Sequence, residues 1–164
     1  MQLNTLQDLY VQQLQDLHSA EKQILRALPK MIKAANNDGL GAALDRHREQ
    51  TETHVVRLEK ILKSLDQSPR GEKCKGMEGV LDEGAEMISF KGAPEVLDAG
   101  IILAAQRVEH YEIAGYGAAH SLAVTLEQRE AADLLQATLN EEHEADRKLT
   151  ELAVGLVNVE AAAV

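Results

Sequence analysis

Along most of this chain, apolar residues recur every three or four positions, the period of an α-helix with one face turned toward a core. Leu6, Leu9, Leu14, Leu17, Ile24, Leu28 and Met31 mark the first such face, and the spacing predicts a helix over about 5–35. Thr5 begins it, with Asp8 three residues on to complete a capping box. Pro29 lacks a backbone donor and should kink it. Asn36-Asn37-Asp38-Gly39 then stops it, because Asn and Gly tolerate the backbone conformations that end helices. So short a turn should return the second helix, about 40–64, antiparallel to the first. Its apolar side holds Leu44, Thr51, Val55, Leu58, Ile61, Leu62 and Leu65, and shares that side with His47, Gln50 and His54. Glu49, Glu52 and Glu59 fall opposite and read as a solvated face.

Breaks at Ser68-Pro-Arg-Gly71 and Lys91-Gly-Ala-Pro94 bracket a long connection, in which Met77, Val80, Leu81, Met87 and Ile88 predict a shorter helix over about 76–89. Pro94 suits the first turn of a third long helix, about 94–124. Thr125-Leu-Glu-Gln128 reads as the capping box of the last, about 128–158, whose stripe is Leu135, Leu139, Leu149, Leu152 and Leu156. The tail from Glu160 reads as frayed. Four long amphipathic helices, two short turns and one long connection predict a single all-α domain over 1–164. The expected architecture is a four-helix bundle with one long crossover carrying a short additional helix, the connectivity of ferritin-like folds.

Composition supports that reading: 45% of residues are hydrophobic but only 2% aromatic, and a core of Leu, Ile, Val and Ala suits helix-on-helix packing better than a sheet. The net charge of −10, without a Lys/Arg cluster, argues against a nucleic-acid or anionic-membrane partner. Cys74 is the only cysteine, so it reads as a free thiol in a loop. With no basic-then-apolar leader and no apolar run of about 20 residues, the expected location is cytoplasmic, without a membrane span.

Acidic residues interrupt the stripes where core residues are expected. On the third long helix the inward series 98, 102, 105, 109, 112, 116, 119, 123 includes Glu109 and Glu112, neighbours on one side of a helix. Glu21 interrupts the first stripe, and Glu142 and Asp146 the last. Glu142 is preferred to Glu141 because it lies three residues from Leu139. Antiparallel helices bring residues equidistant from their turn to one level. By that count Glu21 meets His54 and Gln50 across the Asn37 turn, and Glu109 and Glu112 meet Glu142 and Asp146 across the Leu126 turn. A buried carboxylate is costly unless it is protonated, paired with a cation or bound to a metal. Lys22, Lys30, Arg107, Arg147 and Lys148 lie beside these stripes rather than on them. Oxygen ligands with imidazole, supplied from facing helices, suit two iron ions, with manganese as the alternative. His47 reads as core or as a supporting residue, His143 as a fallback ligand, and His18, His110 and His120 as rim residues. Gly115 and Gly117 are expected at a close packing or dimer contact.

The run Ala105-Gln-Arg-Val-Glu109-His-Tyr-Glu112-Ile-Ala, with Ser19-Ala-Glu21-Lys-Gln, Leu139-Asn-Glu-Glu142 and Ala27-Leu-Pro29-Lys-Met, resembles the ferritin-like superfamily of carboxylate-bridged di-iron bundles. Within it, the chain looks most like the YciE/YciF-type branch of stress-induced bacterial proteins. The resemblance implies Glu21 as the first-helix ligand, Glu109 and Glu112 as the third-helix pair, and Glu142 with Asp146 as the fourth-helix pair. It also implies stress-related iron, dioxygen or peroxide redox handling and a homodimer, for which Met77, Val80 and Leu81 are the candidate contacts. The chain departs from the superfamily's usual Glu-x-x-His: Gln50 stands where a glutamate is expected, four residues before His54, and Asp146 stands where a histidine would be. A Gln oxygen is the weaker, neutral ligand, so a structural or interaction bundle with a degenerate or single-metal site is the alternative reading.

Overall fold

Helix α1 (Leu6–Ala34) starts with the expected capping box: Thr5 Oγ1 accepts from the Asp8 amide at 3.1 Å, and Asp8 Oδ2 accepts from the Thr5 amide at 2.9 Å. The computed structural model that shows this describes residues 3–164. The helix continues through Pro29. Asn37 Oδ1 accepts from the Leu40 amide to cap α2 (Asp38–Ser64). Then come α3 (Lys75–Met87), α4 (Pro94–Thr125) and α5 (Arg129–Leu152). A widened π-type turn (Ala153–Val157) and the single-turn α6 (Asn158–Ala161) end the chain. No helix among the described residues is long and apolar enough to cross a membrane.

Asp98 fixes the topology. Its carboxylate accepts from the backbone amides of Asn36 and Asn37, both at 2.8 Å, which ties the start of α4 to the α1–α2 turn. Since α2 ends at the opposite pole, the crossover must travel the length of the bundle, and α3 rides on α1 and α4 as it does so. The packed neighbours are α1 with α2, α2 with α5, α5 with α4 and α4 with α1, each pair antiparallel.

The inward series of α4 is buried throughout: Asp98, Ile102, Ala105, Glu109, Glu112, Tyr116, Ala119 and Ala123. The apolar core nevertheless divides in two. One block, built around Ile24, Leu28, Leu44, Ile101 and Leu149, fills the pole of the α1–α2 turn. The other, built around Leu14, Leu17, Leu58, Leu62 and Leu135, fills the pole of the α4–α5 turn. Between them lies a layer of buried polar side chains: Glu21, His47, Thr51, His54, Glu109, Glu112, Thr138 and Glu142.

Four local expectations need correction. Thr125 does not open a capping box; it ends α4, its hydroxyl donates to the Ser121 carbonyl, and Gln128 precedes α5 without a side-chain cap. Residues 126–128 are needed to reverse the chain, with Glu127 at φ 58°. The last helix is not regular to 158, because the widened turn absorbs one extra residue; Val157 faces inward and Leu156 is exposed. Met77 is a core residue rather than an outer contact. Of Gly115 and Gly117, Gly115 alone marks a close approach, since a Cβ there would stand 2.7 Å from Leu17 Cδ2, while Gly117 faces open space. Cys74 is a free thiol as expected, though buried, with Asp16 Oδ2 at 3.1 Å and the Tyr111 hydroxyl at 3.0 Å.

Candidate metal centre

Four helices supply the polar layer. α1 gives Glu21, α2 gives His47 and His54 two turns apart, α4 gives Glu109 and Glu112, and α5 gives Glu142. Each side chain occupies a position where the helical period would otherwise place a Leu or an Ala, so the fold buries it. Glu21, His54, Glu112 and Glu142 have no exposed surface, and Glu109 and His47 retain 2% and 5%.

The ligand atoms fall into two groups. His47, Glu109, Glu112 and Glu142 form one, and Glu21, His54 and Glu142 the other; within each, one nitrogen or oxygen per residue lies within 4.8 Å of all the rest. Glu142 belongs to both. In the first group His47 Nε2 is 3.5 Å from Glu109 Oε1 and 3.8 Å from Glu112 Oε2, and His47 Nδ1 is 4.0 Å from Glu142 Oε2. In the second, His54 Nδ1 is 2.9 Å from Glu142 Oε1 and 3.3 Å from Glu21 Oε1.

These residues fit a metal. Donors about 2.1 Å from one ion stand about 3 to 4.2 Å apart; the contacts of 2.9 to 4.0 Å given above fall near that range, and each whole group lies within 4.8 Å. Among the described residues, the buried side-chain nitrogens and oxygens without an aligned hydrogen bond all belong to these six residues, apart from the Tyr10 hydroxyl; His54 Nδ1 and Glu142 Oε1 are among them although they lie 2.9 Å apart, so the unpartnered atoms proper are on Glu21, His47, Glu109, Glu112 and Glu142 Oε2. Buried polar atoms are ordinarily satisfied, and a concentration of orphans on facing helices calls for a ligand.

Surrounding residues hold the second group in place. The Tyr116 hydroxyl donates to Glu21 Oε1, leaving Oε2 free, and the Tyr116 ring meets His54 edge-on at 6.1 Å. His54 Nε2 lies 2.8 Å from Glu141 Oε2, and Arg57 Nη2 donates to Glu141 Oε1 at 3.0 Å. A carboxylate behind an imidazole fixes which nitrogen faces the ligand, the usual support for a metal-binding histidine. Arg57 also donates to the buried Thr138 hydroxyl at 3.0 Å.

Burial and the neighbouring charges shift the proton affinities within the layer. Burial, then the neighbouring Glu142, pushes the carboxyl groups of Glu109 and Glu112 well above the usual range. Burial alone would also raise Glu142, but its contact with His54 and the nearby His47 hold it below the ordinary value. Burial presses His47 down. It would do the same to His54, yet Glu141, Glu142 and Glu21 carry that imidazole up to about 11. Glu141, despite partial burial, is held at about 2 by His54 and Arg57.

Of the residues singled out in the sequence, Glu21, His54, Glu109, Glu112 and Glu142 converge. Gln50 and Asp146 do not join them. Gln50 is half-buried in the wall of a cleft leading to His47 and Glu109. Asp146, one turn past Glu142, turns to the α4 rim, where it accepts from Gln106 at 3.0 Å and lies 3.4 Å from His110. His47 takes part instead, and its spacing of seven from His54, two turns along one face, is the signal that could have found it. Glu141 is the second addition, as an outer partner, and Arg57 is a cation that the stripes did not reveal. His143 is exposed.

Three comparisons place the chain among known proteins. A family model described as a domain of unknown function, DUF892, matches residues 5–162. Protein YciF of Escherichia coli strain K12 is 43% identical over 98% of each chain. The crystal structure of that stress protein superposes with a TM-score of 0.91, covering 94% of this chain and 98% of the other. YcfI of Rhodopseudomonas palustris, provisionally described as a structural protein, is 40% identical and superposes with a TM-score of 0.87, covering 90% and 94% of the two chains. A Xanthomonas campestris protein, 21% identical, shares the fold with a TM-score of 0.77 over 98% of this chain and all of that one. A helical bundle with a buried His/Glu layer able to hold metal, matched to one family over nearly its whole length, is therefore a member of the DUF892 family, of YciF type.

Proposed function

We propose that this protein holds two metal ions, iron with manganese as the alternative, and uses them in stress-related handling of iron, dioxygen or peroxide. The observation that carries the reading is the set of orphaned buried ligand atoms on His47, Glu21, Glu109, Glu112 and Glu142. Glu109, Glu112 and His47 would hold one ion and Glu21 and His54 the other, with Glu142 shared. When bound, such ions supply one-electron redox chemistry toward oxygen species. The chain's part is to exclude bulk water with the two apolar blocks, to orient Glu21 through Tyr116, and to orient His54 through Glu141 and Arg57. Protons on Glu109 and Glu112 must leave when those carboxylates become ligands.

Anaerobic loading with Fe(II) or Mn(II) tests this. The expected result is about two ions per chain, the stoichiometry of paired-carboxylate bundles. A melting transition should rise with metal and fall back with chelator, by about 2.7 kcal/mol when free metal is 100 times Kd. Well under one ion per chain, with no change in melting, would overturn it. The provisional description of YcfI favours a second reading, a purely structural bundle, and the same melting experiment separates the two.

A further inference from the structure

The two ligand groups differ in what their donor atoms are already doing. In the first, the His47 imidazole stands 3.5 Å from Glu109 Oε1, 3.8 Å from Glu112 Oε2 and 4.0 Å from Glu142 Oε2, at or beyond the limit of a hydrogen bond. Both His47 nitrogens, both Glu112 oxygens, Glu109 Oε2 and Glu142 Oε2 are buried without a partner. An ion that binds among them displaces none of these contacts, and three carboxylates attract it. These donors are held in place before the ion arrives, so little of the binding free energy is spent on arranging them.

In the second group the donors are engaged. His54 Nδ1 lies 2.9 Å from Glu142 Oε1 and 3.3 Å from Glu21 Oε1, and its Nε2 lies 2.8 Å from Glu141 Oε2. Glu21 Oε1 accepts from the Tyr116 hydroxyl, so Oε2 is its one unpartnered oxygen. An ion must take the place of the contact between His54 and Glu142 before it can bind. Two carboxylates serve this position rather than three, and one of them, Glu142, is shared with the first. Glu141 adds no net attraction, because Arg57 Nη2 donates to it at 3.0 Å and matches its charge. Giving up one charge-assisted hydrogen bond weakens binding on the order of 10- to 100-fold.

Resting on the two-metal reading above, we infer that the two positions are unequal and fill in order. A divalent cation takes the position of His47, Glu109 and Glu112 first and stays there. A second binds at Glu21 and His54 more weakly, which makes that position the exchangeable one, through which the protein takes up and gives back metal.

Co(II), added without oxygen, tests the order by calorimetry on the full chain and by anomalous scattering from its crystals. Titration should show two steps, the second on the order of 10- to 100-fold weaker. Crystals grown with one equivalent should carry cobalt beside His47, and those grown in excess should carry it at both positions. His54→Ala should lose the weak step and keep the tight one, and His47→Ala should do the reverse. Tyr116→Phe, which frees Glu21 Oε1 and keeps the ring in the core, should shift the weak step alone, and it carries the comparison should either histidine variant fail to fold. Two steps of equal strength, cobalt that goes first to Glu21 and His54, or a tight step that moves with Tyr116→Phe overturns the order of filling. Fewer than two cobalt ions per chain at saturation would instead overturn the two-metal reading itself.

Discussion

Glu142→Ala should empty both metal positions at once. Glu142 alone contributes to both ligand groups, its Oε1 lying 2.9 Å from His54 Nδ1 and its Oε2 4.0 Å from His47 Nδ1. Removing it takes an anionic donor from each position. The loss should exceed the 10–100-fold weakening typical when a merely supporting residue is changed (an order-of-magnitude figure). Elemental analysis after anaerobic loading should find close to no bound metal, whereas His47→Ala and His54→Ala should each forfeit about one of the two ions expected of such a bundle. Retention of one tightly held ion in Glu142→Ala would show that the two groups do not share a ligand.

Glu112→Leu should do something less intuitive: stabilise the metal-free protein while destroying its response to metal. Both Glu112 carboxylate oxygens are buried without partners, and burial, then Glu142, pushes the carboxyl well above the usual range. Leucine has similar bulk, so the substitution removes a buried unsatisfied polar group and relieves the crowding of carboxylates around it. The expected gain is about 1–3 kcal/mol in chelator. Urea unfolding of both proteins measures it directly, and added metal should shift the midpoint of the parent only. Glu112→Gln keeps the polar atoms and should not reproduce the gain. A stability below that of the parent in chelator would mean that the carboxyl is satisfied in the empty bundle. Residues kept at a cost to the empty fold are the pattern expected of a functional site.

The sequence made most of this centre legible because two simple rules hold in it. Helical period alone put Glu109 and Glu112 on the inward face of α4, and that face is buried at every position of the series. Counting from the turns brought Glu21 and Glu142 to one level, and they stand in one layer. The count went astray where it assumed that the site occupies a single plane. His47 lies two turns from His54, and the layer is long enough along the bundle axis to use both, so a residue that looked too far away became part of the centre. The same count brought Gln50 and Asp146 to this level, but level does not fix direction, and their side chains turn to a cleft and to a rim. Arg57 escaped notice because a long side chain carries its charge well away from its Cα, here across to Glu141. Thr125-x-x-Gln128 misled because a capping pattern cannot say whether the chain is starting a helix or reversing between two. The widened turn at Ala153–Val157 left no signal in the apolar spacing.

The division of the core into two greasy halves has a consequence for how the molecule breathes. Each half should loosen by itself, because the ionisable layer between them offers little apolar adhesion when no metal ion cross-links it. Backbone amides around Leu14 and Leu62 should then exchange with deuterium at a different opening free energy from those around Leu28 and Leu44. Metal should bring the two sets together, so that a bundle resembling two loosely joined pieces opens as one.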